Sequence, residues 1–132
     1  MHHDVLHPKG WKATPGYSNG IAATGKMVFT GGVIGWNTDQ EFDTDDFAGQ
    51  VEAALRSIVA ILAEAGAGPE HLVRLTWYVT DKAEYLGALK EIGRAYRATI
   101  GKSYPAMALV QVVALVEDRA KVEIEATAVI PD

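Results

Sequence analysis

Cysteine is absent from the 132 residues. That removes disulfides, thiolate nucleophiles and Cys-based zinc or iron–sulfur sites together, and it suits a reducing cytoplasm. Positive charge is also short: 12 Lys and Arg face 17 Asp and Glu, giving a net charge of −5 and a pI near 5.3. A protein that holds nucleic acid by neutralising phosphates shows the opposite balance. Long apolar runs are missing as well. The longest, residues 106–116, falls far short of the ~20 residues that span a bilayer. Residues 1–7 carry no apolar signal-peptide core. These shortages lead to the expectation of a soluble cytoplasmic protein with no nucleic-acid or membrane partner.

What remains is an ordinary globular composition, with 48% hydrophobic and 22% charged residues. At this length the chain is expected to form one domain over residues 1–132, with a core of its own. Residues 1–20 hold Pro8, Gly10, Pro15, Gly16 and Gly20 and read as an irregular N-terminal arm. Residues 26–30 form a short β run, stopped by Gly31-Gly32 and resumed at Val33-Ile34, and residues 35–41 read as a loop. Phe47, Val51, Leu55, Ile58, Leu62 and Ala65 recur at helical spacing, with N-cap candidates at Asp43, Thr44, Asp45 and Asp46 and a stop at Gly66. Residues 72–80 alternate as a strand, with Val73, Leu75, Trp77 and Val79 on one face. A second helix is predicted from Asp81 to Gly101, with Asp81 and Glu84 resembling a capping box and a stripe of Tyr85, Leu86, Leu89, Ile92 and Tyr96.

Residues 106–116 are apolar on both faces and read as a central, doubly covered strand. After the polar turn 117–120, residues 121–130 alternate cleanly. Val122, Ile124, Ala126, Ala128 and Ile130 share one face, and Lys121, Glu123, Glu125 and Thr127 the other. Two right-handed β–α–β crossovers would set both helices on one face of a mixed sheet. The opposite face is then left bare, and another copy of the chain is its simplest cover. A homo-oligomer is expected on this ground alone.

Several landmarks recur in a familiar order: Pro15-Gly16-Tyr17-Ser18, Val28-Phe29-Thr30-Gly31-Gly32, Gln50, Ala63-Glu64-Ala65-Gly66-Ala67, Tyr104-Pro105-Ala106, and Val122-Glu123-Ile124-Glu125-Ala126-Thr127-Ala128. From about residue 15 to 130 the chain resembles the YjgF/RidA family, also called the endoribonuclease L-PSP family. The resemblance implies a chorismate-mutase-like α+β fold, a mixed sheet with two helices on one face. It also implies a homotrimer with ligand sites in the clefts between subunits. The activity implied is hydrolysis of enamine or imine intermediates, releasing ammonia and a keto product without a metal or organic cofactor. The motifs Gly16-Tyr17-Ser18-Asn19-Gly20 and Tyr104-Pro105-Ala106-Met107 resemble those of a branch that includes 2-aminomuconate deaminases.

The resemblance assigns the acidic catalytic role to Glu123 and places Tyr17, Gly31, Gly32, Met107, Ala108 and Leu109 around the substrate. The main departure is Met107. The deaminating branch carries an arginine there, whose planar fork holds the substrate carboxylate. Leu109 and Leu89 stand where many members carry a cysteine and an asparagine. Arg74, Arg94, Arg97, Arg119 and Lys121 are the cations that could replace the missing one. Each residue also has a plainer reading. Glu123 fits a solvated strand face beside Glu125, Tyr17 fits simple packing of the arm, and Gly31-Gly32 fits a strand end. Met107 fits an apolar pocket wall or core filling, and Trp36 and Trp77 fit packing or an interface. His2, His3 and His7 are not expected to bind metal, and His71 reads as exposed. The alternatives to a deaminase are a ligand-binding or regulatory trimer and, behind it, a ribonuclease.

Overall fold

The computed structural model describes residues 3–132. Its strands are β1 (Asp4–Leu6), β2 (Gly20–Ala22), β3 (Lys26–Phe29), β4 (Val33–Ile34), β5 (Leu72–Val79), β6 (Ala106–Gln111) and β7 (Val122–Ile130). Its α-helices are α1 (Phe47–Glu64), α2 (Lys82–Leu86) and α3 (Leu89–Thr99), and a short 3-10 turn, Pro69–His71, precedes β5. The main sheet runs β3-β7-β5-β6, with β4 continuing β3's side of β7. β7 is antiparallel to β3, β4 and β5, whereas β5 and β6 are parallel. The fold is therefore α+β with a mixed sheet, and α1 and α3 pack together over one face.

α1 forms because its apolar spacing and both its ends agree. The Asp46 carboxylate caps the start by accepting from the Gly49 N–H at 2.8 Å, leaving fewer orphan donors. At the other end Gly66 adopts φ +78°, and the Ala67 and Gly66 N–H groups donate to Leu62 and Ala63 carbonyls. A left-handed residue at that point suits glycine best, because it has no Cβ to strain. Val51, Leu55, Ile58 and Leu62 are fully buried against Leu75, Val122, Ile124 and Ala128 of the sheet.

Several expectations need correction. The region from Asp81 to Gly101 is two helices, not one, so the sheet carries three α-helices. Gly87 closes α2 through its N–H to the Ala83 carbonyl, and α3 restarts after Ala88. The break turns Leu86 and Leu89 outward, and both are exposed. Asp81 does cap α2, but Glu84 does not complete a capping box. Its carboxylate bonds Lys121 Nζ at 2.7 Å instead. The arm is not wholly irregular, since β1 pairs antiparallel with β2. In β5 a bulge between Leu72 and Arg74 puts Leu72, not Val73, into the core. Most consequentially, residues 106–116 are not a central strand. β6 ends at Gln111 and lies at the sheet edge, and Val113 and Val116 beyond it are almost wholly exposed.

One buried polar side chain ties the layers. Gln50 has no exposed surface; its Nε2 donates to the carbonyls of Thr44 and Arg119, and its Oε1 accepts from the Lys121 N–H at 2.8 Å. It thereby pins the start of α1 to the turn that feeds β7. Gly35 lies so close to the Gln50 backbone that a Cβ there would collide with it. Gln50→Ala leaves three backbone groups without their side-chain partner beside a fully buried site and should lower stability by roughly 2–4 kcal/mol in urea unfolding. A loss below about 1 kcal/mol would contradict this role.

Candidate functional site

A concavity of about 620 Å³ lies between β6, α2, α3 and the arm. The arm reaches it through a fixed turn. The Thr14 Oγ1 donates to the Tyr17 carbonyl at 2.7 Å, and Gly16 takes φ +80° between them. Ser18 then docks on the entry of β6, its Oγ donating to the Tyr104 carbonyl at 2.6 Å and its N–H to the Pro105 carbonyl at 3.1 Å. This holds Tyr17 in the cleft wall. Cross-strand neighbours share a face, so Met107 and Leu109 lie beside Leu75 and Trp77 on the helix side. One face of α3 completes the lining: Leu89, Ile92, Gly93, Tyr96 and Arg97.

The walls are chiefly aromatic. Tyr96 and Tyr104 stack with centroids 5.4 Å apart and an interplanar angle of 9°. The Tyr96 hydroxyl donates to the Ser103 carbonyl. Burial drives the Tyr96 phenol far above its ordinary range, with neighbouring Tyr104 adding to the rise, and burial alone raises Tyr85. The Trp77 indole N–H is buried with no hydrogen-bond partner among the described residues. Arg97 is the charged side chain of the lining.

Glu123 lies elsewhere. On β7 it alternates with Ile124, so it leaves the sheet on the side away from the helical core. It is separated from β6 by β5, or about 10 Å at ordinary strand spacing. Opposite it the chain bulges. Thr30 pairs with Ala126 and Val33 with Ile124, so Gly31 and Gly32 together face Glu125. The Glu123 carboxylate occupies the space a Cβ on Gly32 would need, so the two lie in direct contact. With Trp36, Ser57 and Ile61 these residues line a second hollow of about 340 Å³ at the β4 edge.

The two glutamates of β7 differ. Glu125 accepts the Tyr78 hydroxyl at 2.8 Å. That bond raises the Tyr78 pKa first, followed by burial and by the charges of Glu125 and Glu123. Glu123 makes no hydrogen bond or ion pair with any other described residue and so keeps both oxygens available.

The predicted residues therefore fall into two groups within one chain. Tyr17, Met107 and Leu109 meet in the cleft, whereas Gly32 and Glu123 meet across the β4–β7 pair, toward the other side of the sheet. Gly31 is exposed in the bulge with open space beside it. Ala108 sits on the other face of β6, beside Thr76, and is exposed. Among the candidate cations, Arg119 is held by Asp45 at 2.9 Å and lies over the Phe42 ring, and Lys121 is held by Glu84. Arg74 lies by Glu125 across the sheet, and Arg94 is exposed outside the cleft lining. Trp36 is half-buried against Phe42, and Trp77 is buried. His71 is not simply exposed: it is half-buried, and its Nδ1 accepts the Gly68 N–H at 3.0 Å. His3 and His7 bond the carbonyls of His71 and Trp11, and His2 lies outside the described residues. Tyr85, Tyr96 and Tyr104 were not foreseen as lining. For Tyr96 the signal is the spacing 89, 92, 93, 96, 97, one helix face that carries tyrosine, glycine and arginine together; Tyr85 and Tyr104, on α2 and in the loop before β6, lie outside any such spacing.

A family model described as Endoribonuclease L-PSP matches residues 9–130. The chain is 35% identical over 120 residues to Protein DfrA of Myxococcus xanthus, covering 89% of this chain and 88% of that protein. It is 30% identical over 105 residues to TdcF of Escherichia coli strain K12, which bears the provisional name of reactive intermediate deaminase, covering 80% of each. Among solved structures, YyfB from Yersinia pestis, described as a Rid family protein of unknown function, superposes with a TM-score of 0.87 at 27% identity. That match covers 98% of this chain and all of that one. E. coli TdcF with bound serine superposes with a TM-score of 0.68 at 31% identity, covering 89% and 91%.

The Tyr96 phenol supplies a pH test. Because its folded pKa is raised, its contribution to stability is whole below the unfolded value of about 10 and is lost as pH rises beyond it. Tyr96→Phe should flatten the fall of unfolding free energy between about pH 9.5 and 11.5 relative to wild type. Parallel curves for the two proteins would contradict the assignment.

Proposed function

The chain belongs to the endoribonuclease L-PSP (YjgF/RidA) family, and from that premise we propose that it is a hydrolytic deaminase of a reactive enamine or imine, working as a homotrimer. The observation that carries the proposal is the Glu123 carboxylate, unpaired among the described residues and lying against a glycine bulge. The name of the TdcF relative points to the same reaction, and the serine in its solved structure makes a small amino acid a ligand of that protein.

The chemistry needs little machinery. An enamine first takes a proton on carbon to become the iminium ion. Water then attacks the iminium carbon, with Glu123 accepting the water's proton as the C–O bond forms. Glu123 returns that proton to the nitrogen of the carbinolamine, and as the C–N bond breaks to release ammonia the hydroxyl proton passes back to the carboxylate, leaving a keto product. The exposed N–H groups of the Gly31-Gly32 bulge are donors for oxygen developing charge nearby.

Assembly supplies what one chain lacks. The cleft opens at the β6 edge on the helix side, whereas Glu123 leaves β7 on the other face, so one chain does not join them; a neighbouring copy that lays its own Gly31-Gly32 bulge and Glu123 against the β6 edge would. An interface between two different surfaces closes into a ring when its rotation permits, and the trimer is such a ring. Met27, Phe29 and Val110 are apolar and exposed on the sheet, as are Val113 and Val116 beyond β6, and all offer surface for burial.

As substrate, 2-aminomuconate is the first to test, given the two branch-like motifs. The apolar Met107 and Leu109 favour a second reading, a trimer that binds a small ligand without transforming it. A ribonuclease, which the family's description names, sits poorly with the net charge of −5.

Ammonia release from freshly generated 2-aminomuconate and from a panel of imino acids tests the reading. Wild type should exceed the spontaneous rate, and Glu123→Gln should lower kcat roughly 100-fold or more with its sedimentation unchanged. Release no faster than the spontaneous reaction across the panel would move the assignment to the binding protein. Sedimentation of wild type as a monomer would overturn the shared site.

A further inference from the structure

The cleft has lost the arginine expected at Met107, yet its lining is not without charge. Arg97, at the C-terminal end of α3, faces Met107 and Leu109 across the same concavity. Three observations single it out. It makes no ion pair or hydrogen bond with another described residue, whereas Arg56, Arg119 and Lys121 are held by Glu52, Asp45 and Glu84. A glycine one turn earlier lies beneath it: a Cβ on Gly93 would come within 3.3 Å of Arg97 Nη1, so the guanidinium lies back over that bare stretch of helix. Finally, Arg97 is the charged side chain of that lining, among aromatic and apolar walls. A guanidinium with open donors among such walls forms a binding surface for an anion.

We propose that Arg97 is the carboxylate anchor of the cleft, on the helix side of it rather than on the strand, and that it selects a monocarboxylate with a conjugated or aromatic body. The selection follows from the walls. Tyr17, Tyr85 and Tyr104 offer ring surface, Met107 is a polarizable filler, and nothing in the lining suits a hydroxylated body as well as a flat apolar one. One guanidinium matches one carboxylate, and a second carboxylate finds no other cation in the lining. The proposal deepens the deaminase reading and rests on it for the reaction. It makes a phenyl-substituted imino acid a better substrate than a dicarboxylate.

Binding separates the two claims. The probes are trans-cinnamate, an unreactive conjugated carboxylate, and trans-cinnamamide, its uncharged counterpart, followed by calorimetry and by tryptophan fluorescence. Cinnamate should bind wild type saturably and at least tenfold more tightly than cinnamamide. Arg97→Gln should remove that preference while leaving cinnamamide binding as it was. Arg97→Lys should keep part of it, and Arg94→Gln, on the same helix outside the cleft, all of it. Arg97 is exposed, so these variants should unfold like wild type. No saturable cinnamate binding, or equal binding by wild type and Arg97→Gln, overturns the anchor. If that pattern holds but no imine in the panel yields ammonia, the anchor stands and the deaminase reading falls. If imines are hydrolysed with an unchanged KM in Arg97→Gln, the reaction stands and the anchor falls.

Discussion

Alternation along β7 divides the molecule into two chemistries, and the rest of the structure follows from that division. Val122, Ile124, Ala126 and Ala128 are buried beneath the helices and anchor the core. Glu123 and Glu125, one residue out of phase, face the other way because successive strand side chains must. A shift of one residue in register would bury both carboxylates and expose four apolar side chains. The antiparallel pairing with β3, β4 and β5 on both sides prevents such a slip. The position of Glu123 is therefore a consequence of how the core is built.

The cleft follows from a second constraint, at the β6 edge. β6 pairs with β5 alone in the main sheet, and its free edge receives only the brief docking of Ser18. That docking carries Tyr17 into the wall, while the helix break at Gly87 sets α3 on its own axis with one face toward β6. Met107 and Leu109 give the cleft an apolar floor, and Arg97 lies on the far wall, on the helix side.

What could be read in advance depended on whether the signal was local. α1 was legible because its stripe, its aspartate cap and its terminal glycine all lie within about twenty residues and agree. β7 was legible because its alternation is unbroken. The segment 106–116 misled because apolar side chains look the same whether the chain covers them itself or leaves them bare. Val113 and Val116 are bare here. The continuous helix from Asp81 failed at Gly87-Ala88, where an apolar stripe continued in sequence while the axis turned. In the site, Glu123, Tyr17, Met107 and Leu109 were named from family motifs, yet no spacing rule says that they divide between two sides of the sheet. By sequence Arg97 is an ordinary cation near a helix C-terminus; its place in the cleft lining opposite Met107 and Leu109 appears only once the chain is folded.

The central claim is that one chain holds half of each site. Co-expression of two variants tests it most directly: Met107→Trp, which fills the cleft, and Glu123→Gln, which removes the carboxylate. Each should be inactive alone. In a ring of mixed copies, a site that joins an open cleft to an intact Glu123 forms wherever the right neighbours meet, about a quarter of the time at equal proportions. Recovery of ammonia release to that level would establish a site shared between chains. Mixed rings no more active than the two variants assayed apart would contradict it.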